Sequence, residues 1–472
     1  MSSDLINKTA CETVDLLMTG EVTPTNLLDA LETRIADVDP AVNALPTLCF
    51  DRARDRANAA ETVLPRERGL LAGMPVPIKD LANVAGVRST SGSPIFKDTV
   101  PDTSDILVEH LETNGAIIYA KSNTPEFGAG ANTFNEVFGR TLNPWNTSRS
   151  AAGSSGGAAA ALASGTAWVA HGSDMGGSLR NPASFCGVCG MRPSPGRVAS
   201  SKGSKIDGNL GQEGPMARNV EDLALLFDAM VGEEAGDPIA LPRDGTSYLD
   251  ASRSGWTPKK VAVSRDLGIT PVDPEVADIV EAAARKFEQA GIIVEEAHPD
   301  LTEAHDCFQV LRALSFATSM KPLLEAHRGL LKPEVIWNIE QGLNLTTDDI
   351  IRAEQQRADM YHRTLAFFET YDLLLCPATI VSPFPIENRY VEECNGHKFD
   401  NYVEWLAIVY AITLVCCPAI SIPAGFTREN LPVGIQMVAP PRAEGQLLAG
   451  AKLLEDILDV IIKTPIDPRS GS

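Results

Sequence analysis

The 472-residue chain is 44% hydrophobic and 22% charged, the balance of a soluble globular protein with an extensive core. Its 62 acidic side chains outnumber 40 basic ones; the formal net charge of −22 repels phosphate, so neither nucleic acid nor an anionic membrane is an expected partner. Nine cysteines without regular spacing read as reduced thiols rather than a disulfide framework, and the chain is expected in the cytoplasm.

The opening "MSSDLINKTACETVDLL" has neither the basic nor the apolar region of a secretory leader. Thr23-Pro24 is a cap followed by a first-turn proline, and Leu27, Leu28, Leu31 and Ile35 then fall on one helical face. An arginine-rich stretch over 51–68 is expected to continue this helical N-terminal segment, 1–68. "AGMPVPIKD" (72–80) switches to a short extended pattern. "TSDILVEHLETNGAIIYAK" and "DPEVADIVEAAARKFEQAGIIVEE" share one order: amphipathic helix, terminal glycine (Gly115, Gly291), apolar strand. With "KKVAVS" (259–264) they predict an α/β fold, a single large mixed-sheet core with helices on both faces.

We expect one domain, with the chemistry in 72–230 and a C-terminal half, 258–472, completing the sheet. The polar stretch 232–257 reads as a surface connection, and 303–370 as a helical insertion over the sheet. "WLAIVYAITLVCCPAISIPAGF" (405–426) is long enough to span a bilayer, but Pro418, Pro423 and Gly425 make a buried helix turning into a strand the better reading.

Three motifs lie between 79 and 178: Lys79 at the end of "PVPIK", the loop-to-helix "AAGSSGGAAAALA" (151–163), and "GSDMGGS" (172–178). Acyl transfer from an amide needs a hydroxyl that loses its proton as it attacks, and donors for the resulting oxyanion. Gly176 and Gly177 free the backbone of side-chain bulk, so the amides of Met175, Gly176, Gly177 and Ser178 are candidate oxyanion donors. A lysine serves as base when burial lowers its pKa, and Lys79 closes an apolar segment.

"GSSGG" also fits G-x-S-x-G with Ser155 as nucleophile, but that elbow requires a strand before it, and "NPWNTSRSAA" is poor strand material. Its histidine would be His298, His305, His327, His362 or His397, none in a telling context. The same loop is a weaker phosphate cradle, because no lysine follows its glycines. His171 reads as a loop-bracing residue. Cys186-Gly-Val-Cys189 is a lone pair best read as core thiols, and the dispersed histidines offer no metal site.

Together with "KSNTPEFG", "HGSDMGGSLRNPASFCGVCGMRPSPGRV" and "CCPAISIPAGFTRENLPVGIQMV", these motifs resemble the amidase signature family over about 72–455. The resemblance implies serine amidohydrolase chemistry without a cofactor. Carried over position by position, it implies Ser178 as nucleophile, Ser154 as a cis-serine relay and Lys79 as base. Ser155 then supports by hydrogen bonding, and Asp174 and Arg180 hold the nucleophile loop in shape. Small residues at Gly128, Ala129, Gly130 and Ala131, with Met175, are expected to border the substrate.

The expected reaction is hydrolysis of a small to medium, partly apolar carboxylic amide or anilide by a homodimer. A carbamate or ester is the nearby alternative. Another is the glutamine-hydrolysing component of a tRNA-dependent amidotransferase, disfavoured by Met175 where such proteins carry threonine and by "GQEGPMAR" (211–218). Phe316, Trp337, Phe368 and the segment 379–405 are candidates for a roof over the cavity.

Overall fold

A computed structural model describes residues 2–200, 210–243, 245–458 and 464–471. Residues 201–209, inside the expected 72–230 core, lie outside the described residues. The N-terminal prediction holds locally. Thr23 and Asn26 form a reciprocal capping box, Pro24 opens a helix over Pro24–Val42, and Leu27, Leu28, Leu31 and Ile35 are buried. The arginine-rich stretch is the helix Phe50–Glu61 followed by one short 3₁₀ turn.

Ten strands organise the rest: β1 (Pro75–Lys79), β2 (Ile117–Ser122), β3 (Val169–Asp174), β4 (Cys189–Arg192), β5 (Gln212–Ala217), β6 (Lys260–Val263), β7 (Ile293–Glu296), β8 (Leu373–Pro377), β9 (Ala419–Phe426) and β10 (Pro432–Val438). Eight of them form one mixed sheet in the order β7-β6-β8-β10-β9-β4-β5-β3. Its first three strands are parallel and the remaining pairings antiparallel. A helix-glycine-strand crossover generates the parallel β6–β7 pair: the helix Pro274–Arg285 leads through Gly291, with φ at +78°, into β7.

The expected single sheet is thus an eight-stranded core with a second, smaller sheet beside it. β1 and β2 run parallel to each other, and β2 pairs on its other side with Thr47–Leu48, so the strand ending in Lys79 is not part of the large sheet. The insertion is the helices Ala304–His327, Pro333–Leu343 and Thr347–Phe368. The long uncharged stretch becomes the buried helix Ala407–Leu414 and then β9. Among the described residues no helix is long and apolar enough to cross a membrane.

Candidate active site

The edge strand β3 delivers Ser173 and Asp174, and the loop behind it carries Met175 to Leu179 into the helix Arg180–Cys186. Asp174 holds this loop from inside. Its Oδ1 accepts the Gly177 amide at 2.8 Å and its Oδ2 the Leu179 amide at 3.1 Å. Arg180 grips both oxygens, donating from Nε at 3.0 Å and Nη2 at 2.9 Å. The guanidinium also donates to the Val409 carbonyl at 2.9 Å and to Thr413 Oγ1 at 3.2 Å. Burial alone would push the Asp174 carboxyl up, but the charge and hydrogen bonds of Arg180, with Arg192 and the Gly177 amide, hold it well below the usual carboxylate range.

Gly177 has φ at +94°, and a Cβ there would lie 2.4 Å from Val409 Cγ2, so no other residue fits the turn. This geometry also corrects one expectation. The Gly177 amide faces Asp174 and is not available to an oxyanion. The amides of Met175, Gly176 and Ser178 have no hydrogen-bond partner among the described residues and remain as donors.

The second loop packs against the first. The Gly153–Ser154 peptide is cis, and Ser155 leads into the wholly buried helix Gly156–Ser164. The Ser155 amide donates to the Ser178 carbonyl at 3.2 Å, tying the loops together. At Gly157 a Cβ would lie 2.3 Å from the Asn123 nitrogen, which is why this helix starts on glycines.

Lys79 enters from β1, fully buried. Its Nζ lies 2.7 Å from Ser154 Oγ, 2.9 Å from Ser155 Oγ, 3.1 Å from Ser173 Oγ and 3.2 Å from the Ser173 carbonyl. Burial lowers its pKa to about 7, against the opposing pull of Glu213 and Asp174. His171 braces this lysine from the backbone side. Its Nδ1 accepts the Lys79 amide at 3.3 Å, so the proton sits on Nε2 and is donated to Glu213 Oε2 at 2.8 Å.

Ser178 is half-buried and lines a cavity of about 340 Å³ together with Ser154, Ser173, Met175 and Gly176. Gly128, Gly130 and Ala131 form another part of its wall. Ala129 does not. It is fully buried in a small apolar cluster with Phe316, Val335 and Ile339, and its carbonyl accepts from Lys332 Nζ. Phe316 of the insertion, Val403 of the later segment and Leu406 just beyond it border the cavity. Trp337 packs edge-on against Tyr402, and Phe368 against Phe367. Glu213 and Arg312 also line the cavity, and neither was anticipated.

Residues 26–448 match the sequence profile of the Amidase family. The chain belongs to the amidase signature family. An acylamidase of Rhodococcus erythropolis is 33% identical over 465 residues, covering 97% of both chains. A glutamyl-tRNA(Gln) amidotransferase component from Thermus thermophilus is also 33% identical over 465 residues, covering 93% of this chain and 94% of that one. A solved bacterial aryl acylamidase superposes with a TM-score of 0.90 at 28% identity, over 95% of this chain and 96% of that one. This amidase signature protein is accordingly an enzyme that hydrolyses C–N bonds.

Proposed function

We propose that the enzyme hydrolyses a small to medium, partly apolar carboxylic amide or anilide through an acyl-enzyme on Ser178, with Ser154 as relay and Lys79 as base. One observation carries this reading: a lysine with its pKa lowered to about 7 lies 2.7 Å from a serine that shares a cavity with Ser178. As an ammonium, Lys79 donates to the surrounding oxygens; as a neutral amine it has a lone pair able to take the Ser154 proton. Ser154 in turn takes the proton of Ser178 as that oxygen attacks the substrate carbonyl.

The developing oxyanion is met by the loop amides of Met175, Gly176 and Ser178. As the C–N bond breaks, the proton returns through Ser154 to the leaving amine. Water then repeats the path: it gives a proton through Ser154 to Lys79 as its oxygen bonds the acyl carbon, and that proton returns to Ser178 Oγ as the acyl–Oγ bond breaks and the acid leaves. Asp174 and Arg180 keep the loop in shape, and Ser155 supports the lysine at 2.9 Å. Phe127, Phe308 and Phe316 beside the glycines of 128–131 suit a partly apolar substrate. The reading extends to a cytoplasmic homodimer, which light scattering on the purified chain would test.

Glutamine hydrolysis for a partner protein is a second reading, favoured by the resemblance to the amidotransferase component from Thermus thermophilus. Met175 on the nucleophile loop and the −22 charge count against it. Peptide mapping after fluorophosphonate labelling tests the chemistry. Label on Ser178, lost in Lys79→Ala, is the expected result; label on Ser155 overturns it. An amide panel that includes glutamine then separates the two substrates.

A further inference from the structure

Four arginines are buried among the described residues: Arg180, Arg192, Arg197 and Arg312. Three have a carboxylate within ion-pair distance, Arg180 and Arg192 at Asp174 (2.9 and 3.7 Å) and Arg197 at Glu444 (3.4 Å). Arg312 has none among the described residues, although it is only 7% exposed. Its Nη1 rests on Met175 Sδ at 3.4 Å and its Nη2 donates to the Tyr402 hydroxyl at 3.0 Å, both neutral acceptors. Its Nε is buried without a partner. The guanidinium lies over the Phe316 ring at 4.6 Å.

The position of this charge is informative. Phe308, Arg312 and Phe316 are spaced four residues apart on the helix Ala304–His327, so they share one face, and all three line the cavity that holds Ser178. Burying a cation without a counter-charge is unfavourable, and a fold rarely retains it where a neutral side chain of similar shape would serve. The carboxylates on the same cavity, among the described residues, are committed elsewhere. Asp174 is held by Arg180, Glu213 accepts from His171, and Asp105 accepts the Asn83 amide at 3.0 Å.

We propose that Arg312 is a specificity-determining residue that binds a carboxylate on the substrate, so that the enzyme's substrates are amides whose apolar body carries an acid group. The inference rests on the Ser178 acyl-transfer reading and deepens it. The planar guanidinium supplies charge-assisted hydrogen bonds to the carboxylate, while the phenylalanines on either side hold the apolar part. Contact with Met175 places this anchor against the loop that carries the nucleophile, so an acid group bound there fixes the reach between it and the scissile carbonyl.

Two fluorophosphonates identical except for a terminal carboxylate or its methyl ester provide the test, with the labelling rate at Ser178 as readout. For the wild-type protein the acid should react about tenfold faster or more, since a hydrogen bond to a charged group contributes at least that much. High salt should reduce the preference. In Arg312→Met the acid-to-ester ratio should fall at least about tenfold, and Arg312→Lys should lie between. A wild-type ratio at or below one overturns the proposal without recourse to any variant, and so does a ratio that Arg312→Met leaves unaltered. Labelling of Ser178 by the ester alone would sink the carboxylate anchor but leave acyl transfer standing. If neither probe labels Ser178, the acyl-transfer reading fails and this proposal falls with it.

Discussion

Two lysines on neighbouring strands of the small sheet occupy almost the same setting and do different things. Lys79 ends β1; Lys121 lies on β2, paired in register with Ile78, and both are fully buried. Lys121 Nζ has a carboxylate, Asp80 Oδ1 at 3.1 Å, and also donates to the Ala82 carbonyl at 2.7 Å and Ser89 Oγ at 2.8 Å. Lys79 has hydroxyls and one carbonyl instead. Burial lowers both pKa values, but at Lys121 the charge and hydrogen bond of Asp80 act directly against it, whereas at Lys79 the opposing carboxylates are farther away and the value falls to about 7. A buried lysine given an acid is a strut; one given only hydroxyls is, on the proposed reading, a base.

The sharpest way to break this comparison is to remove the base. Lys79→Met should lower kcat/KM by about 10²–10⁴-fold, the usual worth of general acid–base catalysis, while Lys121→Met with Asp80→Asn should affect turnover far less. A drop of comparable size in both would erase the distinction. Stability should respond at the other lysine. Asp80→Asn alone strands the Lys121 charge and should cost about 3–5 kcal/mol in urea unfolding; adding Lys121→Met should restore most of it. No loss in the single variant would mean that Lys121 is already neutral in the fold.

The pH dependence follows from the Lys79 value. With the neutral amine as the working form in the proposed mechanism, kcat/KM should climb tenfold per unit below about pH 7 and level off above it. The linked effect on stability has a definite sign. A folded pKa of about 7 against an ordinary 10.5 means that the unfolded chain binds the extra proton between those values. The destabilisation from Lys79 is therefore full below pH 7 and fades as pH rises toward 10.5. Lys79→Met should flatten that part of the stability profile, and an activity profile highest near pH 5 would argue against a lysine base.

The sequence carries the local elements well, and the two lysines show where it stops. "PVPIK" and "IIYAK" are the same pattern, an apolar run closed by a lysine, and nothing in either says which gets the acid. Asp80 follows Lys79 directly, yet successive strand residues point to opposite sides, so its carboxylate crosses to Lys121. The helix-glycine-strand order made the parallel crossovers legible, whereas the split into two sheets depends on long-range pairing that periodicity does not encode. Gly128, Gly130 and Ala131 reach the cavity but Ala129 turns into a cluster with the distant Val335 and Ile339. Arg312 left one readable trace, a single charge in the apolar "VLRALSF". Its place against Met175 is set by the tertiary fold alone.

The smallest effect tests whether Lys79 feels its surroundings as described. Of the opposing influences on its pKa, Glu213 is the larger, ahead of Asp174, which Arg180 already neutralises. Glu213→Gln removes the charge while its amide oxygen still accepts from His171 Nε2, so the brace on the Lys79 backbone survives. With that negative charge gone the protonated lysine is less favoured, its pKa falls further, and the rising limb of kcat/KM should move to lower pH by roughly one unit or less. The position of the limb is the readout, because a merely structural role for Glu213 would change the plateau and leave the limb where it was. A limb that stayed in place would mean that the group titrating there is not the one beside Glu213, and Lys79 would lose its assignment as base.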